Sequence, residues 1–159
     1  MAIAIRNFQS DATEQGARFH AECIRALMNA GFEIHEQKMK VPEVGIEIDA
    51  VTHNREGLAM PWEFKGSEQG MRPGLHRTDT MKKAIANGYL FSRWEGRFAF
   101  TPLLVMTSHM PSDTDGAPAA MHAATERRIV LEFVNSRDHK RVLWLYRATE
   151  AQLRKLLDE

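Results

Sequence analysis

The chain has one cysteine, Cys23, among 159 residues. A disulfide within the chain is therefore excluded, and the expected location is a reducing compartment, the cytoplasm. Net charge is also missing, because 21 Lys and Arg balance 21 Asp and Glu. A chain this neutral is no polyelectrolyte, so any nucleic-acid binding must come from a local basic patch. No apolar run approaches a membrane span, and the apolar stretch in the opening MAIAIRNF is too short for a signal peptide. No membrane partner is expected. Gly66, Gly70 and Gly74 are not followed by GK[ST], which rules out a phosphate-binding P-loop. His35, His53 and His139 show no ligand spacing with cysteine, so zinc is not expected. The sequence has no internal repeat or low-complexity tract, and nothing in it calls for an organic cofactor.

What is present fits an ordinary globular protein: 43% hydrophobic and 26% charged residues. The length suits one domain over residues 1–159, large enough for a core. A helix is predicted over 10–30, with Asp11 and Glu14 as a capping box and Gly31 as its stop. Its apolar positions Phe19, Cys23, Ala26, Leu27 and Ala30 recur at helical spacing. Cys23 lies on that arc and reads as packing, not as a nucleophile. A loosely alternating strand follows at 32–41. GIEIDAVT then alternates, predicting Ile46, Ile48 and Ala50 on one face and Glu47, Asp49 and Val51 on the other. Residues 54–57 form a turn, and 58–65 the second strand of a hairpin.

A loop at 66–75 and a helix at 76–88 come next. TPLLVMTS (101–108) is an apolar strand, expected near the sheet centre. Residues 109–120 carry turn residues and read as a mobile loop. RIVLEFV (128–134) and RVLWLYR (141–147) are expected as two more strands, with Trp144 in the core. Thr149 and Gln152 form a capping box opening a last helix. The order gives an α/β fold, a mixed central sheet flanked by helices.

The chemistry concentrates in GIEIDAV (45–51) and PWEFKG (61–66). Residues two apart on a strand share a face, so Glu63 and Lys65 point the same way. With Asp49 on the neighbouring strand, two carboxylates can hold one Mg²⁺, a hard cation that prefers oxygen and keeps several waters. The carbonyl of Phe64 is a further candidate ligand. A metal acidifies a bound water, and an ammonium beside it stabilises charge growing on a phosphate. This set suits phosphodiester hydrolysis.

An acidic strand followed by a strand with ExK, after an opening helix, resembles the PD-(D/E)xK nuclease superfamily. The resemblance runs from about Gly16 to Lys83. GARFHAECIRALMNAGF (16–32) is similar to the opening helix of resolvase-type members, and Ile48 stands where the family carries Pro. The resemblance implies a restriction endonuclease-like fold, Mg²⁺ with Mn²⁺ as substitute, and DNA as partner. It implies a metal-dependent deoxyribonuclease leaving a 5′-phosphate and a 3′-hydroxyl. A chain this short suits structure-selective or non-specific endonuclease cutting. Exonuclease or RNA cutting, or a binding domain that kept the fold, are the alternatives. A homodimer would let two sites cut two strands, as resolvases do.

The family's helical Glu has no plain counterpart, and Glu14, His20 and Glu22 compete for its place. On a helical wheel His20 lies near the centre of the apolar arc, and Glu22 falls opposite. His20 is therefore the favoured site residue, with Glu22 kept as the alternative. Glu47 is an uncertain ligand beside Asp49. Residues 72–97 carry six basic against two acidic residues. Arg72, Arg77, Lys82 and Lys83 are the candidates for gripping a nucleic-acid backbone. Trp94, beside Arg93 and Arg97, is expected to pack, with stacking on an unpaired base as the alternative.

Overall fold

A computed structural model describes residues 2–66, 75, 78–111 and 116–159, without the side chains of residues 2–12 and Thr78. The elements are α1 (Ala2–Ala30), β1 (Glu33–Val41), β2 (Ile46–His53), β3 (Ala59–Lys65), α2 (Thr78–Arg93), β4 (Leu103–Thr107), α3 (Ala117–Glu126), β5 (Val130–Asn135), α4 (His139–Arg147) and α5 (Glu150–Asp158). The five strands lie in one sheet in chain order. β1, β2 and β3 are antiparallel neighbours, and β3, β4 and β5 run parallel. Each parallel step needs a crossover, which α2 and α3 supply.

Helices cover both faces of this mixed sheet. On one side Phe19, Cys23 and Leu27 of α1, Val142 and Leu145 of α4 and Leu153 of α5 bury against Trp62, Phe64, Leu104 and Met106. On the other, Met81 and Ala84 of α2 and Ala117 and Ala124 of α3 meet Val105, Val130 and Phe133. Phe91 of α2 also closes over Val41, Ile46, Ile48, Val51 and Leu103. The chain is thus α/β with a sheet between two helical layers.

Several elements depart from the sequence expectations. α1 begins at Ala2 and passes through Asp11, so Asp11 does not open the helix. Glu14 instead lies 3.8 Å from Arg18 in an exposed pair one turn apart. Gly31 does end α1, with φ at 112°, and an added Cβ there would come within 2.6 Å of the Tyr146 ring. RVLWLYR is a helix, not a strand. Asp138 accepts the Arg141 N–H as N-cap, and Val142 and Leu145, three apart, are the buried pair. Trp144 is only partly buried, under the Arg141 guanidinium at 4.2 Å. The loop expected over 109–120 gives way at Ala117 to α3, with Pro118 in its first turn, where its missing N–H costs nothing. α2 runs to Arg93, five residues past its expected end. β4 is wholly buried but lies fourth, and β3 holds the middle. The Thr149–Gln152 capping box is formed.

The face assignment in β2 also fails, and the reason matters for the site. Ile46 and Ile48 pack with Val51 under α2, while Ala50 packs on the α1 side. Strict alternation would separate Ile48 from Val51. The strand breaks phase near Asp49. Across the ladder Gln37 pairs with Ala50 and Met39 with Ile48, so Lys38 stands opposite Asp49. Lys38 has φ at 53°, in the left-handed region. Both strands are therefore irregular at the same level.

Candidate metal and phosphodiester site

The β2–β3 ladder runs from His53↔Ala59 to Ala50↔Trp62 and stops there. The next register step would set Asp49 beside Glu63. Instead of a ladder carbonyl, the Asp49 carboxylate accepts the Phe64 N–H at 2.7 Å. N–H and C=O of one strand residue point to the same edge. The Phe64 carbonyl therefore faces the β2 side, where Asp49 lies.

Glu63 is 2% exposed in the central strand. Its Oε1 lies 2.5 Å from Lys65 Nζ and accepts the Asn87 side-chain N–H at 3.0 Å. Asn87 belongs to α2, so the helix above the sheet fixes the carboxylate below it. Burial pushes the Glu63 carboxyl above the usual carboxylate range; Lys65 and Asn87 oppose that, and the Asp49 charge adds to it. Burial likewise pushes Asp49 up, against the Phe64 N–H, Lys65 and His20, with Glu47 adding to the rise. With both carboxyls ionised, a single ammonium leaves negative charge in a largely desolvated place. A buried charge in excess calls for a counter-ion, and hard oxygen donors suit Mg²⁺ or Mn²⁺. The donor set of Asp49, Glu63 and the Phe64 carbonyl fits such an ion, with waters completing its shell. Among the described residues no three His, Cys, Asp or Glu side chains gather closely enough to form a metal cluster by themselves.

His20 reaches this place from α1. Its charge acts on Asp49, its ring meets the Phe64 ring edge-on at 5.1 Å, and its Nε2 lies 2.9 Å from Gln37 Oε1. Glu22 acts on Cys23, whose buried thiol is pushed far above its ordinary value, and not among the charges shifting Asp49. Glu47 is exposed at the rim. Lys82 and Lys83 are exposed on α2, with Lys83 one turn before Asn87. Arg72 and Arg77 lie outside the described residues. His35 on β1 and His53 on β2 bring their ring centroids to 5.1 Å, edge to face.

Two residues here were not expected from sequence. Asn87 had a readable signal: it falls three after Ala84 and four before Phe91, a polar residue on the buried side of its helix. Gln37 had none, because the irregular backbone at Lys38 sets which way β1 side chains face.

Compared with protein-family models, with curated proteins and with solved structures, the chain matches none. Among the described residues no helix is long and apolar enough to cross a membrane.

Proposed function

We propose that this protein is a Mg²⁺-dependent nuclease that hydrolyses phosphodiester bonds of DNA, cutting internally by structure or without sequence preference. The observation that carries the reading is the buried Glu63 paired with Lys65 and the half-buried Asp49, on which the same ammonium acts. Asp49, Glu63 and the Phe64 carbonyl would hold Mg²⁺, which would supply Lewis-acid polarisation and an acidified water. Lys65 then has the role of stabilising charge on the phosphate or orienting the water. Asn87 keeps Glu63 turned toward Asp49 and away from solvent. His20, held by Gln37 and Phe64, contacts water or phosphate from the α1 side. Lys82 and Lys83, with Arg72 and Arg77 from sequence, are the basic residues for the backbone. The product ends expected from the family resemblance are a 5′-phosphate and a 3′-hydroxyl.

One observation favours a second reading. The Lys65 ammonium lies 2.5 Å from Glu63 Oε1, which suits a non-catalytic nucleic-acid-binding domain in which Lys65 simply neutralises Glu63. The test is incubation with plasmid, linear, branched and single-stranded DNA and with RNA, each in Mg²⁺, Mn²⁺ or EDTA. Cutting of end-free plasmid in metal alone supports the endonuclease. Cutting only of ends or of RNA moves the activity within the same chemistry. Binding without cutting under every metal supports the second reading.

A further inference from the structure

α2 turns Met81, Ala84 and Phe91 into the core. Its opposite side exposes Lys82, Ala86, Tyr89 and Arg93, spaced by four, three and four, with Lys83 beside them. That spacing makes one continuous stripe about 16 Å long. Beyond the helix, Arg97 and Phe98 are exposed too. Among the described residues none of Lys82, Lys83, Arg93 and Arg97 makes an ion pair. In sequence, the acidic residues flanking the stripe are Asp79 before it and Glu95 after it. In a chain of zero net charge this is a local surplus of unpaired positive charge.

Aromatic rings are exposed on this stripe and just beyond the helix. Among the described residues the exposed large hydrophobic side chains are Met28, Tyr89, Phe98 and Met110; of the two aromatic ones, Tyr89 lies on the stripe and Phe98 five residues past the end of α2. Tyr89 is 52% exposed and Phe98 40%. Phe98 is also held in place. Its ring meets Phe91 at 6.1 Å and Trp94 at 6.0 Å, and Phe91 is fully buried. A ring fixed by its neighbours yet open to solvent is a preorganised stacking platform.

We propose that the exposed side of α2, continued by Phe98, binds a single-stranded segment of DNA. Tyr89 and Phe98 stack on bases, and Lys82, Lys83, Arg93 and Arg97 pair with phosphates. Cations alone would suit a duplex equally well; exposed rings add affinity only for bases freed from pairing. The surface and the candidate site share one helix: Asn87, on the buried side of α2, holds Glu63, and the stripe lies on its exposed side. The inference deepens the nuclease reading by naming its substrate class: DNA with an unpaired strand. Binding itself requires no catalysis, so the two are separable.

The test is fluorescence anisotropy of a labelled oligothymidylate and of a duplex of equal length, in EDTA, over a series of salt concentrations. The single strand is expected to bind at least about tenfold tighter than the duplex. Tyr89→Ala and Phe98→Ala each weaken single-strand binding by about 5- to 100-fold and leave the salt slope unchanged. Tyr89→Phe retains binding. Lys83→Ala and Arg93→Ala each reduce the slope of log affinity against log salt by about 0.7. Because Tyr89 is exposed, its loss leaves thermal stability unchanged, which separates a lost contact from a lost fold. Equal affinity for duplex, tighter binding of oligouridylate, or full binding by Tyr89→Ala would overturn the proposal. Single-strand binding without cutting in any metal would retire the nuclease reading and leave this surface standing. Cutting with no preference for unpaired strands would do the reverse.

Discussion

Lys38 stands across the β1–β2 ladder from Asp49 with its backbone left-handed, at φ 53°. A non-glycine residue in that region costs about 1–2 kcal/mol. The irregularity shifts β2 out of strict alternation and ends its ladder with β3, freeing Asp49 to take the Phe64 N–H. Lys38→Gly removes the steric cost and adds back about 0.5–1 kcal/mol of unfolded-chain entropy. The expected result is a stability within about 1 kcal/mol of wild type, with activity kept. Lys38→Val is expected to lose about 1–3 kcal/mol and most activity. Urea unfolding and cleavage rates check both.

Burial raises both site carboxyls. A carboxyl raised in the folded state holds its proton longer there than in the unfolded chain. The stability of the metal-free protein therefore falls as pH climbs from about 4, the unfolded value, through the raised folded values. Above those values the ionised pair is a net cost that Lys65 only reduces. Asp49→Asn keeps an oxygen for the Phe64 N–H and removes one charge. It is expected to raise the Tm of the metal-free protein at pH 7, by about 2–4 °C for each kcal/mol gained. Added Mg²⁺ should raise the wild-type Tm by mass action and leave that of the variant flat. Thermal scans at several pH values, with and without metal, are the check.

Much of this fold is legible in sequence, for particular reasons. The β2–β3 hairpin is written in the Gly45–Val51 alternation and in Asn54, whose Oδ1 accepts the N–H groups of Glu56 and Leu58. Thr149 and Gln152 mark the start of α5 with a reciprocal cap. α4 misleads because Val142, Trp144 and Tyr146 are strong strand formers; the Asp138 cap and the burial of Val142 and Leu145 decide for helix. α3, rich in alanine, hides behind a run of turn residues. In the site, the spacing from Asp49 to Lys65 is visible, whereas the Gln37–His20 contact follows from backbone geometry that no side-chain pattern encodes.

Asn87→Ala removes the α2 donor from Glu63 and leaves Lys65 as its partner. The expected effect is about a tenfold loss of kcat and a Tm lower by several degrees, since a single hydrogen bond to a charged group contributes about 1.5–3 kcal/mol. Asn87→Gln, with the same amide on a longer stem, should recover part of that loss. Steady-state kinetics on one DNA substrate, beside thermal scans, measure it.

Gly66 follows Lys65 directly. A Cβ there would meet Ser108 Oγ at 2.6 Å and the Phe19 ring at 2.7 Å. Gly66→Ala is expected to cost about 1–3 kcal/mol through overpacking. It should also lower activity beyond that, because the end of β3 must move with Lys65 attached. Chemical denaturation and cleavage of the same preparation separate the two effects.

The most direct test of the central claim is cleavage of supercoiled plasmid in Mg²⁺ by wild type, Asp49→Asn and Lys65→Ala, with EDTA as control. The account predicts cutting by wild type in metal alone. It predicts a loss of about 100- to 1,000-fold in Lys65→Ala and no detectable cutting in Asp49→Asn, both variants being folded. Cutting that survives in Asp49→Asn and Lys65→Ala, or persists in EDTA, would contradict it.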